Sequence, residues 1–317
     1  MGRLGIVFFA KGDSMRKFVV SDLHGCGEVY DSIMGFLDNI SLVDSVELTI
    51  NGDLIDRGLD SFRMLMDVEK RIQDSDSFPI RYLAGNHELL MYSLLKKKKE
   101  GKPLGLSLDW KMNGGEVTRD GINSCLERDT VAKQLKGFIG DLKVYHAFEE
   151  KVGEKPILVS HASAPKHVVN PCIRKIEDNS IANYFLLWAR EYDDYGCRHM
   201  LGHPDYFTIL GHSVVEKYPG FLYKLDQNFL RIDGGCAAYA SGEFRLSSVP
   251  LVEICDGYLK LFIFNHNNEI VDGYYFDGYK SKMSEEELKE ARVFLNPHYN
   301  DCEEGCKKAI LKAWSER

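Results

Sequence analysis

The sequence predicts an α/β (α+β) fold: two β-sheets packed as a sandwich and flanked by helices, with a helical cap and C-terminal helices. Three observations predict it. Residues 15–95 repeat one pattern three times, an apolar β-rich run followed by a polar glycine-containing loop and a helical period. Strand signals dominate from about residue 143, which calls for a second sheet packed on the first. At 317 residues and 44% hydrophobic content, with no internal repeat or long linker, the chain has material for one large core.

The elements follow in order. "KFVVS" precedes the loop "DLHGCG" and a helix to about Ile40; "VELTI" precedes "NGDLIDRG" and the helical "DSFRMLMDVEKRI"; "PIRYL" precedes "AGNHE" and "LLMYSLLKKKK". Residues 101–140 read as helical with a break at "NGG" (113–115), a cap over the same sheet edge. The strands "KVYHAF", "PILVSH", "FTILGH", "FLRIDGG", "VPLVEI", "LKLFIF" and "EIVDGYYF" come next, interrupted by the helix "SIANYFLLWAR". Met15 opens the first strand, so residues 1–14 read as an N-terminal extension and 15–280 as the main domain. Residues 281–317 read as an appendage of two short helices, the first opened by a capping box at Ser284 and Glu287.

A net charge of −8 argues against a nucleic-acid surface, which needs a basic field. The one basic block, Lys96 to Lys99, reads as the solvated end of a helix. No apolar run approaches the roughly 20 residues of a membrane span. Eight scattered cysteines without a CxxC pair point to free thiols in a reducing cytoplasm.

Ligands of open α/β sheets bind beyond the carboxyl ends of the strands, where all the charged loops sit. Those loops offer Asp22, His24, Asp53 and Asn86, and two later strands end at His161 and His212. This mixed oxygen and nitrogen set suits manganese, iron or zinc. One ion rarely needs six ligands, whereas two ions sharing Asp53 would use them. Taken singly, Asp22 or Asp53 could simply cap a helix, and a lone histidine is more often structural. The pair His199 and His203 is read that way. The run G-D-x-x-D-R-G at 52–58 is another matter, since five fixed residues arise by chance at roughly one start in a million.

"SDLHG", "GDLIDRG" and "GNHE", in this order, resemble the calcineurin-like metallophosphoesterases, and within them the bacterial and phage branch of the phosphoprotein phosphatases. "WKMNGG", "SHA", "LLWAR", "ILGHS" and "RIDGGCAAY" extend the resemblance over about residues 16–255. Ser21 stands where many members have glycine, and "GHS" where "GHT" is usual. The resemblance implies the αββα sandwich and two divalent ions, manganese first, with iron or zinc tolerated. One would be held by Asp22, His24 and Asp53, the other by Asp53, Asn86, His161 and His212. A hydroxide bridging them would be the nucleophile. Arg57 and Arg190 would grip the phosphate, and His87, oriented by Asp56, would protonate the leaving oxygen. Tyr239 is expected to line the substrate groove.

The substrate implied is a phosphorylated protein, on serine or threonine or else tyrosine, or a small phosphoester. Symmetrical diadenosine tetraphosphate hydrolases share the fold but resemble "GDLVARG" and "GNHD"; Asp56 and Glu88 here favour the protein phosphatase. A metal-stabilised binding module without turnover would usually have lost a ligand or the acid, and none is lost. The sequence has neither G-x-S-x-G nor G-x-G-x-x-G, which disfavours a serine hydrolase or a dehydrogenase.

Overall fold

The three strand–loop–helix units are present in the computed structural model, which describes residues 15–166, 175–178, 181–191, 200–215, 221–224, 228–236, 248–267 and 269–295. They are β1 (Met15–Val20) and α1 (Gly27–Ser41), β2 (Ser45–Asn51) and α2 (Ser61–Gln73), and β3 (Ile80–Leu83) and α3 (Asn86–Leu95). The three strands pair in parallel. Phe18 and Val20 pack towards the helices, while Val19 between them joins the core shared with the second sheet. Both faces of the strand are covered, so "KFVV" is apolar throughout instead of alternating.

The cap contains α4 (Leu108–Met112), α5 (Glu116–Ser124) and α6 (Arg128–Gly140), with the predicted break at 113–115. α5 packs on α2, and α6 packs on α3. The second sheet comprises β4 (Tyr145–Val152), β5 (Lys155–Ser160), β6 (Phe207–Leu210), β7 (Leu222–Lys224) and β8 (Phe229–Arg231), in the order β4-β5-β6-β8-β7. Its β5, β6 and β8 are parallel. Ile157, Val159, Ile209 and Leu230 face the first sheet. Leu210 and Phe229 face outward, against Phe185 of α7 (Ile181–Trp188).

The last strands depart from the sequence reading. β9 (Val249–Ile254), β10 (Leu259–Phe264), β11 (Ile270–Phe276) and β12 (Lys280–Lys282) extend the first sheet, giving β12-β11-β10-β9-β1-β2-β3. β9 pairs antiparallel with β1, satisfying the backbone edge that β2 leaves open. In β10, Leu259, Leu261 and Ile263 enter the inter-sheet core while Phe262 and Phe264 turn to the helices.

α8 (Glu285–Val293) starts at the expected capping box, with the Glu287 amide donating to Ser284 Oγ at 3.3 Å. The chain after it packs deeply. Phe294 is fully buried, edge-on to Phe36 of α1, and Asn39 Nδ2 donates to its carbonyl at 2.7 Å. Burying such a ring stabilises by about 2 kcal/mol. The expected N-terminal extension and second C-terminal helix lie outside the described residues. Among the described residues, no helix is long and apolar enough to cross a membrane.

Candidate metal centre

The carboxyl ends of β1, β2, β3, β5 and β6 converge, and their loops are zipped together by backbone bonds. The His24 amide donates to the Asp53 carbonyl at 2.9 Å, and the Gly58 amide to the His24 carbonyl at 2.9 Å. The first two loops touch so closely that a Cβ on Gly58 would lie 2.4 Å from the carbonyl oxygens of His24 and Gly25. The centre itself is strained: Asp22, His24, Asp53, Asp56, Arg57 and His212 all have positive φ, between 43° and 72°. Left-handed backbone costs a non-glycine residue about 1–2 kcal/mol, and such strain gathers at functional sites.

Asp53 occupies the middle. Its Oδ2 lies 3.4 Å from His24 Nε2 on one side and 3.3 Å from His161 Nε2 on the other. Its Oδ1 accepts the His87 amide at 3.1 Å. The ring of His24 is fixed by Nδ1 against the Ile55 carbonyl at 2.9 Å, and that of His161 by Nδ1 against the Asn51 carbonyl at 3.0 Å. Each leaves Nε2 for the centre, the usual way of presenting an imidazole to a metal. Asn86 Oδ1 lies 3.1 Å from His161 Nε2 and 3.0 Å from His212 Nδ1.

Among the described residues, two groups of side chains are spaced to hold cations: His24, Asp53 and His87, and Asp53, His161 and His212. The donor set fits. All of these residues are buried, and His212 Nε2 has no hydrogen-bond partner among the described residues. A cation would relieve both the crowded imidazoles and the buried carboxylates. Asp22 stands apart from the two groups: its carboxylate accepts from the Ser21 hydroxyl and from the His212 amide at 3.0 Å.

The electrostatics follow from burial and from this crowding. Burial and then Asp233 push Asp22 well above the usual carboxylate range. Burial alone would raise Asp53 too, but His161, His87 and His24 outweigh it and hold it well below that range. Burial would lower His161, yet Asp53 and Asp22 raise it to about 10. His212 and His24 go well below the ordinary imidazole value, through burial and then through His161 and His87 respectively.

His87, a member of the first group, is also paired with Asp56. His87 Nδ1 meets Asp56 Oδ2 at 2.8 Å. Burial pulls His87 down, but Asp53 and Asp56 outweigh it and raise it above the ordinary value. Arg57 Nη2 lies 3.4 Å from His87 Nε2, so the exposed guanidinium flanks that ring. The architecture, two mixed sheets with helices outside and histidine and carboxylate groups at the strand ends, matches the family model for calcineurin-like phosphoesterases over residues 15–233. The chain belongs to that family.

Among solved structures, this phosphoesterase is similar to a candidate diadenosine tetraphosphatase at 17% identity and TM-score 0.45, covering 81% of this chain and 95% of that one. It is similar to a cold-active protein-tyrosine phosphatase of a psychrophilic Shewanella at 13% and 0.44, with 85% and 80% covered. A serine/threonine phosphatase from Saccharomyces cerevisiae gives 13% and 0.46, with 78% and 74% covered. No curated protein matches the chain.

Arg190 follows α7 and is exposed; its charge adds to burial, His161 and other neighbours in setting the low value of His212. Tyr239 and His199 lie outside the described residues. His203 is buried, and its Nδ1 accepts the Asp205 amide at 3.1 Å. Three further contributors lie within motifs quoted from the sequence without having been given a place at the centre. Asp233, at the end of β8, is buried and pushed up to about 6 mainly by that burial; the strand-end rule would have found it. Glu88 accepts from the amides of Asp53, Leu54 and Gly85 and from the Tyr82 hydroxyl, at 2.7–3.1 Å. Trp110 Nε1 donates to Asp56 Oδ2 at 2.7 Å, a contact that the motif "WKMNGG" does not reveal.

Proposed function

We propose that the chain is a dinuclear-metal phosphomonoesterase whose substrates are phosphorylated proteins, on serine or threonine or on tyrosine. The observation that carries this reading is the position of Asp53 Oδ2 between His24 and His161, with the His87–Asp56 pair adjoining it. Asp53 would be shared by two ions, with Asp22 and His24 completing one set and Asn86, His161 and His212 the other. Such a pair of ions, manganese, iron or zinc, supplies a nucleophile from water and neutralises charge on the phosphoryl oxygens.

The chain's own residues do the rest. Arg57 and Arg190 hold the phosphoryl oxygens with planar forks and stabilise the negative charge that develops there. His87, kept protonated towards neutral pH, delivers its Nε2 proton to the leaving oxygen. Asp56 fixes the ring through Nδ1, leaving Nε2 between Arg57 Nη2 at 3.4 Å and Asp53 Oδ2 at 3.7 Å. An acid held this way suits a serine, threonine or tyrosine oxygen, which leaves poorly unless protonated. Tyr239 is assigned to the wall of the substrate groove.

The test is a product assay in manganese buffer with phosphoserine, phosphothreonine and phosphotyrosine peptides beside diadenosine tetraphosphate, with His87→Asn as control. Phosphate release from the peptides, lowered about 100-fold or more in the variant, is expected. Preferential release of ADP would make the protein a dinucleotide hydrolase, and metal binding without any turnover would make it a binding module.

A further inference from the structure

Asp56 and Arg57 are adjacent, neither is glycine, and both sit in left-handed backbone, at φ 72° and 70°. A pair of this kind needs bonds from outside its own loop to persist. The cap supplies them. The Thr118 hydroxyl accepts the Asp56 amide at 3.1 Å and donates to Asp56 Oδ1 at 2.6 Å. The Gly114 carbonyl accepts the Arg57 amide at 3.0 Å. Trp110 Nε1 donates to Asp56 Oδ2 at 2.7 Å, the same oxygen that meets His87 Nδ1.

Trp110 sits in a five-residue helix whose Leu108 and Met112 are exposed, while the indole is fully buried. Ser107 caps that helix at the Trp110 amide. A phenyl ring would supply comparable apolar packing, so what tryptophan adds is the N–H aimed at the carboxylate. Thr118 is also fully buried, and its hydroxyl bonds both the amide and the carboxylate of Asp56. Together they pin both carboxylate oxygens and stop the group from turning about its own bond.

We infer that Trp110 and Thr118 are positioning residues, a clamp from the cap that fixes Asp56 and through it the proton-donating nitrogen of His87. This rests on the proposed function, in which His87 is the acid. Without the indole donor, Asp56 turns and carries the His87 ring with it, away from its station 3.4 Å from Arg57 Nη2. The loss then falls on proton delivery. It grows with the basicity of the leaving oxygen, a dependence that a packing defect would not show.

The full-length, manganese-loaded protein is assayed on phenyl phosphate and on 4-nitrophenyl phosphate, whose leaving oxygen hardly needs a proton. Wild type, H87N, W110F, T118V and T118S are compared, with metal content and melting temperature as checks on folding. W110F and T118V are expected to lose about 10–100-fold in kcat on phenyl phosphate at little-changed KM. Their loss on 4-nitrophenyl phosphate should be several-fold smaller, and T118S, which keeps the hydroxyl, should stay near wild type. Should W110F fail to fold, the T118V and T118S pair decides alone. Equal losses on both esters, a change in KM only, or T118S as poor as T118V would overturn the inference while leaving the proposed function standing. A wild type inactive on both esters would overturn the two together.

Discussion

The parallel strands of the two sheets deliver functional groups to the same centre on unlike backbone. Beyond β1 and β2, Asp22, His24, Asp53, Asp56 and Arg57 are left-handed, though Asn86 beyond β3 is not; beyond β5 and β6, His212 is the one such residue among those described. The first sheet's loops therefore depend on bonds from elsewhere: Glu88 beneath Asp53, and the cap beneath Asp56 and Arg57. The second sheet presents His161 straight off a strand whose side chains are packed in the inter-sheet core. Hydrogen bonds serve both sides, but the first-sheet loops lean on them for their left-handed backbone, whereas His161 follows a strand packed in the core. Substitutions should separate the two.

The largest effect is expected at the shared residue. Asp53→Asn removes charge from both groups at once, and kcat should fall on the order of 10³-fold, read with saturating manganese. Next comes Glu88→Gln, which places an amide NH₂ where backbone N–H donors now find a carboxylate. Metal affinity should weaken about 10–100-fold, and stability should drop by about 1–3 kcal/mol in urea unfolding. Gly85→Ala acts on the same side, because its Cβ would lie 2.1 Å from Asp53 Oδ1 and 2.6 Å from the Asp53 amide nitrogen; metal affinity and unfolding stability should both fall.

On the second sheet the order should reverse. Leu230→Ala opens the inter-sheet core and should cost about 2–5 kcal/mol in unfolding, while kcat at temperatures where the fold persists changes less than about threefold. A large kcat loss in this variant would erase the distinction between the two sides.

The smallest signal is a proton count. His161 is raised from 6.5 to about 10, chiefly because Asp53 and Asp22 overcome burial, so in the metal-free protein it carries a proton at pH 7. That interaction stabilises the metal-free fold fully below pH 6.5 and is lost as pH rises through about 10. Ligation needs the neutral ring, so metal binding at pH 7 should release about one proton from this residue, measurable by calorimetry in buffers of different ionisation heat. His161→Asn should remove that release.

How far the sequence could be read follows the same division. The ligand candidates were legible because each stands just past an apolar run, in loops too rich in charge and glycine to be ordinary turns. The strand-end rule picks residues from β1, β2, β3, β5 and β6 that the fold brings together. Trp110 and Thr118 were not legible as partners of Asp56, being 54 and 62 residues away in a helical stretch. Glu88 was noted only as a family letter, since its bond to the Asp53 amide spans 35 residues. β7 and β12, three residues each, are too short to show a period. The place of β9 to β12 in the first sheet depends on which edge of β1 is open, which no local pattern encodes.

The most direct test of the centre is the metal content of wild type and Asp53→Asn, titrated with manganese and followed by elemental analysis alongside phosphate release. Two ions per wild-type chain, with activity appearing as the second binds, and one or none in the variant, is the predicted result. Saturation of the wild type at one ion, or a variant that still binds two and turns over normally, would contradict a centre built around a shared Asp53.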